Sequence, residues 1–169
     1  MMRYKVSALI WADVGAQLQL TIDEPQRSLG QDLTVDLVRG KLLLTRADQR
    51  ILVTGTLKAA LLAECARCLD YFHLPLQIRL EELFALNPAH ATDPMYVVAP
   101  DGTIDLTRPM REQIFLAQPI KPICRPDCRG LCSNCGKNLN EGPCDCDDET
   151  IDPRLAALRA LLSAGGQGP

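Results

Sequence analysis

Aromatic residues are scarce in this chain, with one Trp, three Phe and three Tyr among 169 residues. A core built from it must be aliphatic, filled by Leu, Ala, Val and Ile. Histidine is limited to His73 and His90. His73 falls on the polar face of its segment and His90 in a loop, so both are expected to be solvated. No apolar run approaches the roughly 18 residues of a membrane span. At the N-terminus, Arg3 and Lys5 precede a short apolar run, but Asp13 interrupts it and no small-residue cleavage site follows, so no signal peptide is read. The expectation is a soluble, cytoplasmic protein whose thiols stay reduced. Paired carboxylates, a Ser/His/Asp set and a phosphate-cradling loop are also missing. Asp101 and Gly102, after Pro100, read as a turn. A non-enzymatic protein with no small-molecule substrate is therefore expected.

Cysteine, in contrast, is abundant and grouped. The eight cysteines form four close pairs: Cys65 and Cys68, Cys124 and Cys128, Cys132 and Cys135, Cys144 and Cys146. A chain of this length can bury an ordinary core, so disulfides are not needed to rescue a miniature fold. In a reducing compartment, pairs at chelating spacing point to metal. Zinc takes four soft ligands in a tetrahedron, and two thiolates on one short turn supply half of it. Gly136, directly after Cys135, permits the positive-φ turn of a zinc knuckle. The ferredoxin run C-x2-C-x2-C-x3-C-P does not match the spacing here, which argues against iron–sulfur. Two zinc ions are expected. The eight-residue connector GKNLNEGP is rich in turn formers and lets Cys132, Cys135, Cys144 and Cys146 close a local site. Cys65, Cys68, Cys124 and Cys128 then form the other. A set of Cys124, Cys128, Cys132 and Cys135 is the second-ranked grouping, because it strands the last pair. All-thiolate sites lack the open coordination position of a zinc hydrolase.

The remaining pattern is strand-rich to about residue 106. Residues 3–10 and 17–22 read as short strands. Leu33–Thr45 and Ile51–Glu64 read as strands around a polar turn at Arg46–Arg50. In FHLPLQIRL, Phe72, Leu74, Leu76, Ile78 and Leu80 alternate onto one face, with Pro75 marking an edge or a bulge. The Cys65–Cys68 pair is then expected at a hairpin tip. A brief hairpin is expected over residues 95–106. Thr107 can cap a helix over 108–117, and Asp152 a helix from Pro153 to about Leu162, whose Leu155, Leu158, Leu161 and Leu162 are expected to dock on the sheet. The fold class is α+β, a curved sheet or partly closed barrel with two helices and a C-terminal zinc-knuckle segment. Residues 1–162 are expected to form one domain, with a cysteine-rich lobe at about 121–150 and a disordered tail at 163–169.

The formal net charge is −3. Eight thiolates against two divalent cations make the loaded protein more acidic still, unlike a broad non-specific nucleic-acid binder. Yet Arg67, Lys121, Arg125, Arg129 and Lys137 cluster around the cysteines. They are candidates for RNA or partner contact, with plain counter-charge to the thiolates as the competing role.

The segments ECARCLDYF, TIDLTRPMREQIFLAQPIKPICRPDCRGLCSNCGKNLNEGPCDC and IDPRLAALRALL, taken together in that order, resemble the bacterial YceD family of large ribosomal RNA subunit accumulation proteins. The similarity is densest from Glu64 to Leu162. It implies a cytoplasmic factor needed for 23S rRNA accumulation and large-subunit assembly, with precursor rRNA or a ribosomal protein as partner. It assigns no RNA-contacting residue. Family members differ in how many C-terminal cysteines they carry, which supports treating the 132/135/144/146 set as a separable site. The alternative readings are a structural zinc module for protein interaction and a redox or metal-handling thiol protein.

Overall fold

Four long strands make an antiparallel meander: β2 (Gln17–Ser28), β3 (Thr34–Ala47), β4 (Arg50–Glu64) and β5 (Tyr71–Ala85), in that spatial order. These elements come from a computed structural model that describes residues 2–146. A second, two-stranded ribbon pairs β1 (Arg3–Lys5) with β6 (Thr103–Asp105), and the helices are α1 (Ser7–Ile10) and α2 (Thr107–Ala117). The helix expected at 153–162 and the tail at 163–169 lie outside the described residues.

The period-two pattern of the strands decides which face is buried. Leu44 sits opposite Val53, and Leu57 opposite Ile78; with Ile22, Val38, Leu42, Ile51, Leu80 and Phe84 they form a dry aliphatic face. Met110 and Ile114 of α2, Ile104 of β6 and Leu9 of α1 complete the core, with α2 packed against β5 and α1 against β3. Proline sits only on the two outer strands of the meander, Pro25 on β2 and Pro75 on β5, where a missing ladder N–H is tolerated. Because β2 and β5 are both edges, the sheet is open and curved, not closed into a barrel.

Two glycines permit the curvature. A Cβ on Gly55 would lie 2.5 Å from the Lys41 carbonyl oxygen and 2.7 Å from Leu42 Cδ2. One on Gly40 would lie 2.7 Å from Leu57 Cδ2. Neighbouring strands approach at these points only because no side chain stands between them.

The short elements depart from the sequence pattern. Only Arg3–Lys5 of the expected first strand is extended; Val6 and Leu9, three apart, both turn inward on a helical turn. β2 runs on to Ser28 because Pro25, at an edge, does not stop it. The turn at Ala99–Gly102 forms, but Thr103–Asp105 pairs with the N-terminal strand and not with residues 95–98. Asp105, not Thr107, serves the start of α2: its Oδ1 accepts the Thr107 N–H at 2.9 Å. Gln118 is extended ahead of Pro119, which ends the helix and returns the chain toward the tip of the β4–β5 hairpin.

Candidate metal centre

The hairpin tip, residues 65–70, is closed by Cys65 N–H to the Asp70 carbonyl at 2.9 Å and Leu69 N–H to the Cys65 carbonyl at 3.0 Å. Leu69 takes a positive φ of 62° to make this turn. The segment after α2 docks alongside, with Ala66 N–H on the Pro122 carbonyl at 2.7 Å. These two links bring Cys124 and Cys128 to Cys65 and Cys68. The sulfurs of Cys65 and Cys128 are 3.9 Å apart, and those of Cys68 and Cys124 are 3.7 Å apart. A tetrathiolate tetrahedron with metal–sulfur bonds of about 2.3 Å has edges of about 3.8 Å, so the set fits a single ion. Phe72 and Ile123 cover it, and Cys65, Cys68 and Cys128 are buried.

Backbone amides are turned on the sulfurs, as a thiolate site requires. Cys65 Sγ accepts from the N–H groups of Cys124 at 3.4 Å and Arg67 at 3.5 Å. Burial pushes the Cys65 thiol up, but the N–H groups of Cys68, Cys124 and Arg67 outweigh it and bring it down to about 6. Burial also raises Cys128, and the side-chain amide of Asn140 with the Gly130 N–H brings it below the usual thiol value. Cys68 moves the other way: its hydrogen bond from Asp70 pulls it down, but burial and its sulfur neighbours push it well above. Four thiols this close cannot all ionise against one another unless a cation stands among them.

The second group, Cys132, Cys135, Cys144 and Cys146, also has its ligand atoms within 4.8 Å of one another. Its turn follows the knuckle pattern: Asn134 N–H points at Cys132 Sγ at 3.4 Å, and Gly136, at φ 72°, donates its N–H to the Cys132 carbonyl at 3.0 Å. The N–H groups of Cys135 and Asn134 bring the Cys132 thiol down to about 6, while the hydrogen bond to Cys135 together with burial pushes Cys146 up to about 12. Cys135 is exposed, and Cys144 and Cys146 are half-buried. The alternative grouping of Cys124 and Cys128 with Cys132 and Cys135 is not assembled. Neither His73, whose Nδ1 lies 2.8 Å from Asp36 Oδ2, nor His90 joins either tetrad.

Two asparagines in the connector, which the sequence pattern marked only as turn formers, join the groups. Asn138 donates to Asp70 Oδ2 at 2.9 Å, reaching the hairpin tip. Asn140 donates to Cys128 Sγ at 3.4 Å. Gly130 makes the close approach possible: at φ 76°, its absent Cβ would lie 3.0 Å from the Arg67 carbonyl oxygen, which accepts the Leu131 N–H at 3.1 Å.

The five basic candidates divide. Arg67 donates to the Cys128 carbonyl at 2.9 Å, Arg125 to Asn140 Oδ1 at 3.0 Å and Lys137 to the Pro143 carbonyl at 2.7 Å. These three are staples of the lobe. Lys121 and Arg129 are exposed, and their side chains have no partner among the described residues. The acidic residues Asp147, Asp148 and Glu149 lie outside the described set.

Residues 53–162 match the family described as large ribosomal RNA subunit accumulation protein YceD. The chain belongs to the YceD family. An uncharacterized protein of Mycobacterium tuberculosis is 40% identical over 162 residues, covering 88% of this chain and 75% of that protein. YlbN of Bacillus subtilis, also uncharacterized, is 31% identical over 110 residues, 63% of each chain. The chloroplastic large ribosomal RNA subunit accumulation protein YCED homolog 1 of Arabidopsis thaliana is 41% identical over 58 residues, 34% of this chain and 18% of that protein. No solved structure matches. Among the described residues, no helix is long and apolar enough to cross a membrane.

Proposed function

We propose that this YceD-family chain is a zinc-containing, non-catalytic factor of the cytoplasm that supports 23S rRNA accumulation and large ribosomal subunit assembly by binding the precursor particle. Residues 1–162 act as one unit, and the lobe at about 121–150 carries the contact surface. The observation that carries this reading is the division of the basic residues: all five are exposed, but among the described residues the side chains of Lys121 and Arg129 have no partner, while those of Arg67, Arg125 and Lys137 are tied to carbonyl and amide oxygens of the lobe itself. Free Lys and Arg side chains on a fixed frame suit phosphate oxygens, and local placement substitutes for net positive charge.

All-sulfur donors and single-ion spacing favour zinc in both tetrads. Sulfurs all within 4.8 Å enclose one ion, not four irons that each hold their own cysteine. With every coordination position taken by sulfur, the metal's contribution is to hold chain segments together.

Charge reversal at Lys121 and Arg129 together is the test. Co-sedimentation with precursor large subunits should fall about tenfold, as for the loss of two phosphate contacts, with zinc content and circular dichroism unchanged. Normal co-sedimentation by a folded, zinc-loaded variant removes these residues from the contact surface. Arg125 is unsuited to this test because its guanidinium holds Asn140.

A protein partner is the second reading, favoured by an apolar fringe beside the first tetrad: Leu69, Tyr71 and Ile120 are 53%, 69% and 99% exposed. Ile120→Asp that abolishes co-sedimentation, with the charge-reversed protein binding normally, selects it.

A further inference from the structure

Asn140 belongs to the connector of the second tetrad, yet three of the four hydrogen bonds of its side chain go to Arg125, Cys128 and Arg129, in the segment that carries two cysteines of the first. Its Nδ2 donates one hydrogen to Cys128 Sγ at 3.4 Å and the other to Asn138 Oδ1 at 2.8 Å. Its Oδ1 accepts from the Arg129 backbone N–H at 2.9 Å and from Arg125 Nη2 at 3.0 Å. An asparagine amide has two donor hydrogens and two acceptor lone pairs, so the side chain is fully satisfied. The orientation of the amide is also fixed: the two groups facing Oδ1 can only donate, so the nitrogen must face the sulfur.

The position of Asn140 depends in turn on the second tetrad. The connector leaves Cys135 and returns at Cys144. Its first half is held by Cys132 N–H on the Lys137 carbonyl at 2.8 Å, and its second by Lys137 Nζ on the Pro143 carbonyl at 2.7 Å. An ion gripped by all four of these cysteines pins both ends of the loop. Without one, Asn140 is held against Cys128 by the hydrogen bonds of residues 138–140 alone: Leu139 N–H to the Gly130 carbonyl at 2.9 Å, Asn138 to Asp70, and the bonds of Asn140 itself to Arg125 and Arg129.

We propose that Asn140 couples the two metal sites, so that filling the Cys132/Cys135/Cys144/Cys146 site strengthens metal retention at Cys65/Cys68/Cys124/Cys128. An N–H···S bond to a ligand sulfur stabilises the charged, metal-bound form, and losing such an outer partner typically weakens metal binding by about 10–100-fold. Linkage makes the effect reciprocal: filling the first site tightens the second by the same factor. The coupling rests on the reading that both tetrads hold metal.

Cobalt(II) titration tests it, with thiolate-to-cobalt charge-transfer absorbance reporting site occupancy and a competing chelator setting the affinity scale. Wild-type protein should bind two equivalents. Removing the second site with Cys144→Ser plus Cys146→Ser should weaken the first site about tenfold, and Asn140→Ala should do the same. The combined variant should be no worse than the weaker of the two, because both changes break one link. Asn140→Asp separates coupling from simple packing. It keeps the shape and both acceptor bonds but sets a carboxylate against the Cys128 sulfur, so the first site should weaken at least as much as in Asn140→Ala. Fewer than two equivalents in the wild type overturns the metal reading, and the coupling with it. Two equivalents with additive losses, with Asn140→Asp milder than Asn140→Ala, or with first-site affinity within twofold of wild type in Asn140→Ala, overturn the coupling alone.

Discussion

Cys65 and Cys68 meet Cys124 and Cys128 across at least 56 residues of chain, whereas Cys132 and Cys135 meet Cys144 and Cys146 across an eight-residue connector. The first tetrad is buried behind Phe72 and Ile123; the second leaves Cys135 in solvent. The two sets of four thiols are therefore placed for different physical work. Closing a long loop removes more freedom from the unfolded chain than closing a short one, and burial would slow access to an ion held in the first tetrad. The first site ties the β4–β5 hairpin tip to the segment after α2, and the second shapes a lobe that rests on the first through Asn138 and Asn140.

The largest effect should come from Cys68→Ser. Loss of one buried ligand opens the long-range closure, and the thermal midpoint should drop by about 10 °C or more. A drop no greater than that of a second-site variant would erase the distinction between the tetrads.

Next in size is Gly130→Ala, at the junction. The added Cβ meets the Arg67 carbonyl oxygen at 3.0 Å on a backbone at φ 76°, which L side chains rarely adopt. The expected cost is about 1–3 kcal/mol in urea unfolding. A neutral result would show that the lobe can shift without loosening the hairpin tip.

Cys144→Ser should lower the global midpoint by no more than about 3 °C, while amide exchange accelerates at Cys132 and Gly136, whose N–H groups close the second turn. Chelator added in steps should likewise strip the exposed second site before the buried first. Simultaneous release at one rate would argue against the difference in access. The smallest change is expected for Lys137→Met, which removes one exposed bond to the Pro143 carbonyl and should move the midpoint by about 1 °C or less.

The sequence made the first tetrad legible because period-two alternation from Phe72 to Leu80 and the apolar run before Glu64 left the Cys65–Cys68 pair nowhere to sit except a hairpin tip. The second was legible because its connector is too short to reach elsewhere. What escaped was whatever depended on pairing between distant short segments. Three residues of β1 find three of β6 a hundred positions away, and nothing in either triplet announces the other. The strand expected over 17–22 continues through Pro25 to Ser28, because the tolerance of that proline depends on an edge position that only the assembled sheet provides. Asn138 and Asn140 read as turn formers because their second role exists only once the connector lies against the hairpin tip and Cys128. The separation of Lys121 and Arg129 from Arg67, Arg125 and Lys137 is of the same kind: carbonyl and amide partners in the folded lobe decide which of these exposed cations are tied down.

Native mass spectrometry of the purified protein tests the central claim most directly, since it counts ions on intact chains. Two zinc ions per wild-type chain are expected, falling to one in Cys68→Ser and to one in Cys144→Ser. A single ion on the wild-type chain would contradict the account, as would Cys68→Ser and Cys144→Ser each retaining the full wild-type complement.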